Sequence, residues 1–112
     1  MILTSIILFT LAACLGLFLV VLGLRYHRSS LKVALTHATI AIAALFFLTA
    51  QIINGPLNKF NNAAALLMVL ALTGGLMLFA LRESDKPPAM AVVSIHAIMA
   101  LAGLLLLALG NL

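Results

Sequence analysis

Four runs of about 20 apolar residues, separated by short polar punctuation, occupy nearly all of this chain and leave few folds open to it. The first covers residues 2–24 and ends at Arg25-Tyr26-His27-Arg28, a cluster too polar to enter a hydrocarbon core. The second covers residues 31–53, begins after Ser29 and Ser30 as N-caps, and is broken by Asn54-Gly55-Pro56. Asn61 and Asn62 are expected to open the third, which reaches Leu81 and stops at Arg82-Glu83-Ser84-Asp85-Lys86. Pro87 and Pro88 suit the first turn of a fourth helix, where a missing N–H costs little, and that helix is expected to run to the C-terminus.

A chain of 112 residues that is 66% hydrophobic and 7% charged, with mean hydropathy +1.35, cannot carry such a surface in water. Lipid bilayer is the solvent it requires. The expected fold is all-α, a bundle of four transmembrane helices forming a single membrane domain over residues 1–112, with no length left for a soluble domain. Leu11-Ala12-Ala13-Cys14 has the look of a lipoprotein cleavage box. No Lys or Arg precedes it, however, and the apolar run continues to Leu24, so an intact first span is expected. Cys14 has no second cysteine to pair with and reads as a small apolar filler.

The net charge of +4 belongs to loops and not to a nucleic-acid surface, because no basic groove with interleaved aromatics is present. Arg25, Arg28 and Lys32 flank the first loop and Arg82 and Lys86 the third, while the second has only Lys59. The positive-inside rule places loops one and three in the cytoplasm and both termini outside, as in a bacterial inner membrane. Spans two and four then run in the same direction, and His27, beside Arg28, is a solvated interface residue.

His37 and His96 stand 59 residues apart, and sliding the chain by that offset lays residues 4–53 on 63–112 without a gap. Gly16 falls on Gly75, Ala12 on Ala71, Ala41 on Ala100 and Val33 on Val92. Leucine and alanine matches come easily in this composition, but the scarce glycines and histidines falling in one register point to a tandem repeat. Two-helix units repeated in the same orientation are related by a pseudo-two-fold axis along the membrane normal. The two histidines therefore sit at equal depth, about 8 Å inside the interface marked by Lys32.

An ionisable side chain within a membrane span is a functional-site hypothesis by default. Ala34, Ala41 and Ala44 share a helix face with His37, as Val93, Ala100 and Gly103 do with His96. Gly16 and Gly75 leave bare backbone on the neighbouring spans. Such stripes serve close helix packing or make room for a flat ligand. A porphyrin needs axial nitrogens from two sides and backbone without side chains near its ring, and the pattern contains both.

With His37-Ala38-x-x-Ala41 and His96-Ala97-x-x-Ala100 on spans of a four-helix bundle, the chain resembles the small membrane b-type cytochromes. The resemblance covers the whole architecture. It implies one haem b ligated by His37 and His96, lined by Gly16, Gly75, Ala41 and Ala100, with Arg25, Arg28, Lys32 and Lys86 as candidate partners of its propionates. Filled axial positions favour electron transfer over oxygen binding, so an electron carrier or oxidoreductase is expected. A quinone or quinol, superoxide or a protein would be its redox partner, reached from the cytoplasm or from the lipid. Homodimerisation is expected from the lipid-facing stripes of Ala and Gly.

Other readings remain beside this one. The imidazoles can be neutral groups hydrogen-bonded across the bundle to Thr36, Thr39, Ser94 or a backbone carbonyl, or they can relay protons. Zinc is disfavoured, since no carboxylate or thiolate shares their depth. Met68, Met77, Met90 and Met99 read as core or lipid-facing residues. Four spans also suit a small multidrug transporter, but the only acids, Glu83 and Asp85, lie in a loop. A cofactor-free assembly protein is the remaining class, and no nucleophilic triad, phosphate loop or carboxylate pair is present.

Overall fold

The computed structural model describes residues 1–26, 28, 30–82 and 89–112. Helices α1 (Ile2–Arg25), α2 (Leu31–Asn54), α3 (Lys59–Leu81) and α4 (Met90–Leu109) follow one another, with no strand among the described residues. Each is long and apolar enough to cross a membrane. The molecule measures 47 × 23 × 21 Å, and its long dimension is close to the about 40–45 Å of a bilayer with its headgroups. The chain is an all-α integral membrane protein, and α1 passes through Cys14 without a break.

Capping side chains open α2 and α3. Ser30 accepts the N–H of Val33 at 3.3 Å and opens α2. The third helix begins earlier than Asn61 and Asn62 predict, because Asn58 is the cap and accepts the Asn61 N–H at 3.1 Å. Asn61 is thereby free to turn inward, where it is 4% exposed and its side-chain oxygen accepts a 2.7 Å bond from Asn111. Asn58 in turn donates to the Gly110 carbonyl at 2.9 Å. The same bonds end α4 at Leu109, short of the chain terminus, with Asn111 reaching back to the Leu107 carbonyl. The expected cap at Ser29, the interface position of His27, the charged stop at 83–86 and the turn at Pro87 and Pro88 lie outside the described residues.

Helix α1 packs along α2 and α3 along α4, and the two hairpins join through α2 with α3 and α1 with α4. The helices thus stand in chain order around a square. Helices α2 and α4 occupy one diagonal, where their backbones make no contact. Phe9, Ala44, Leu48, Ala64, Met68 and Leu107 form the core, all toward the end that holds both termini and the α2–α3 loop. Ser5 is wholly buried there and donates to the Ala44 carbonyl at 2.9 Å.

Moving 59 residues along the chain carries Ser5, Phe9, Ala12, Ala44 and Leu48 onto Ala64, Met68, Ala71, Gly103 and Leu107, and all ten are buried. The opposite half of the bundle is different. From Ala13 to Ala43 no described residue is buried, and from Leu72 to Ala102 only Val93 is. The bundle is closed at one end and open at the other, and both histidines stand in the open half.

Candidate functional site

In an α-helix the carbonyl of one residue points toward the residue four places on, whose side chain shields it. Gly16 follows Ala12 by four residues and Gly75 follows Ala71 by four, so both carbonyls lose that shield. The imidazoles use the opening. His37 donates its Nδ1–H to the Ala12 carbonyl at 2.7 Å, and His96 donates its own to the Ala71 carbonyl at 2.6 Å. A carbonyl has two lone pairs, so each can accept this bond beside its helical one.

The rings fill the space that the glycines leave. A Cβ built on Gly16 would lie 3.1 Å from His37 Cε1, and one on Gly75 would lie 3.0 Å from His96 Cε1. The bare backbone patches legible in the sequence are therefore covered by imidazole. Each contact and each hydrogen bond forms within one hairpin, and the two hairpins repeat them.

A neutral imidazole that donates from Nδ1 presents an unprotonated Nε2. Neither Nε2 finds a hydrogen-bond partner among the described residues, and neither is sealed from its surroundings. The ring centroids of His37 and His96 lie 6.2 Å apart across the α2–α4 diagonal, with planes inclined by 78°. One metal ion between two imidazoles, at about 2 Å from each nitrogen, sets ring centres about 6 Å apart. Two neutral imidazoles with ring centres at this spacing, each oriented through Nδ1 by a backbone carbonyl, are the residues that could hold a metal such as haem iron.

Other residues singled out by sequence fall into place around the pair or away from it. Ala41 and Ala100 occupy the next turn toward the closed end and are half-buried. Thr36 and Thr39 turn their hydroxyls to their own helix, on Lys32 and Leu35 carbonyls, and Ser94 is exposed. The histidines thus bond to backbone carbonyls within each hairpin and not to hydroxyls across the bundle. Arg28 and Lys32 are exposed, and Lys32 stands about 140° around α2 from His37, by 100° per residue. Lys86 lies outside the described residues. No protein-family model, curated protein or solved structure matches this chain.

Proposed function

We propose that this protein is a membrane b-type cytochrome in which His37 and His96 ligate one haem b, and that it works in electron transfer. The observation that carries the reading is the approach of two imidazoles to 6.2 Å on helices whose backbones do not touch. Helix packing alone explains the bonds to Ala12 and Ala71, since each joins neighbouring helices of one hairpin. Those bonds within each hairpin do not by themselves bring the rings together across the diagonal. A shared ligand does.

The chain's own part is to fix two neutral donors. The Ala12 and Ala71 carbonyls hold the Nδ1 protons, which sets the tautomer, orients the rings and raises the basicity of Nε2. Gly16 and Gly75 give the rings their positions, while Ala41 and Ala100 keep the adjacent turns small. Haem would supply a one-electron couple, its potential set by the two nitrogens and by burial. Quinol, superoxide or a partner protein would exchange electrons with it. On this reading the positive-inside rule turns the basic loops, and the open half with them, toward the cytoplasm of a bacterial inner membrane.

A reduced-minus-oxidised visible spectrum of detergent-purified protein, expressed with haem in supply, tests this. A sharp ferrous low-spin band lost in both His37→Ala and His96→Ala is expected. A colourless wild-type protein sinks the cytochrome reading and leaves the pair as packing or proton-relay groups.

A further inference from the structure

Where α1 ends and α2 begins, Phe18, Leu22, Leu31 and Val33 line a groove of about 630 Å³ whose rim carries Arg28 and Lys32. An apolar wall below and two cations above match an amphiphile with an anionic head. The groove lies at the end of the membrane-spanning helices, where headgroups meet hydrocarbon. Arg and Lys at that level attract anionic lipids.

The repeat provides an internal control. Leu22 and Val33 align with Leu81 and Val92, so the second hairpin retains those apolar residues. Arg28 and Lys32 align with Pro87 and Ala91, and the Ser30 cap aligns with Ala89. The second unit makes the equivalent helices without these cations, so the hairpin fold does not require them. Lys32 also stands about 140° around α2 from His37, which points it away from the face that carries the ring.

We infer that this groove is a binding site for an anionic phospholipid, its phosphate held by Arg28 and Lys32 and an acyl chain lying along Phe18 and Leu22. The site is independent of haem. It makes one face of the first hairpin selective for lipid charge.

Native mass spectrometry of detergent-purified full-length protein, titrated with phosphatidylglycerol or phosphatidylcholine of the same acyl chains, tests it. Phosphatidylglycerol should be retained in preference, and Arg28→Gln and Lys32→Gln should each weaken it about fivefold, while Lys59→Gln leaves it unchanged. Unchanged helical circular dichroism shows that the variants are folded. Equal retention of the two lipids, or equal loss in Lys59→Gln, overturns the proposal. Displacement of the lipid by millimolar inorganic phosphate would make this a free-anion site and overturns it too. If the two variants lose haem absorbance while holding phosphatidylglycerol normally, the cations serve the propionates and not a lipid. A colourless protein with the expected lipid selectivity leaves this site standing while the cytochrome reading falls.

Discussion

Gly75 packs so closely on His96 that a methyl group added to it would stand 3.0 Å from Cε1 of the imidazole. The adjacent Gly74 is different, for its Cβ would meet the Cβ of His96 at 3.5 Å, an ordinary contact. Gly75→Val should therefore push the ring from the Ala71 carbonyl and lower the ferrous band per protein severalfold. Gly74→Ala should leave that band near the wild-type level. Equal loss in both variants would show that general helix packing, and not clearance for the ring, is what the glycines provide.

The hydrogen bonds also fix a tautomer that can be seen without haem. In cofactor-free protein, nitrogen-15 NMR of the imidazoles should show Nδ1 protonated and Nε2 bare for both His37 and His96. Signals from Nε2-protonated rings would contradict the bonds to Ala12 and Ala71. The result bears on the site whether or not the protein proves to be red.

At the closed end, Asn58, Asn61 and Asn111 tie the start of α3 to the end of α4. Asn58→Ala removes the cap of α3 and the bond to Gly110, and it should lower stability by about 1–2 kcal/mol. Asn62→Ala, at an exposed neighbouring position, should cost little. Thermal unfolding in detergent checks the difference, and similar melting points for the two variants would deny Asn58 its role.

Orientation is open to a labelling experiment. In a Cys14→Ala background, a cysteine placed at Arg28 should react with a membrane-impermeant maleimide only after the cells are opened. One placed at Asn111 should react in intact cells. The reverse pattern would turn the basic loops outward.

Much of the fold was legible because membrane spans announce themselves by length and apolarity, and Gly16, Gly75 and the histidines stood out by scarcity. The start of α3 was not, since Asn58, Asn61 and Asn62 are all competent caps, and tertiary pairing of Asn61 with Asn111 decides among them. The acceptors of the imidazoles were hidden for another reason. A backbone carbonyl has no signature of its own, and its only trace is a glycine four residues on. The convergence of the rings across the diagonal depends on how two hairpins pack, which a repeat alone does not dictate.

Each imidazole is held entirely by its own hairpin, His37 on Ala12 and His96 on Ala71. Every two-helix unit is thus a finished half-site that needs only a second like itself. A free-standing chain of one hairpin could form the same ring pair by dimerising, so fusion of two copies would preserve a site and not create one. The two halves are not identical, for the first carries Arg28 and Lys32 where the second has Pro87 and Ala91.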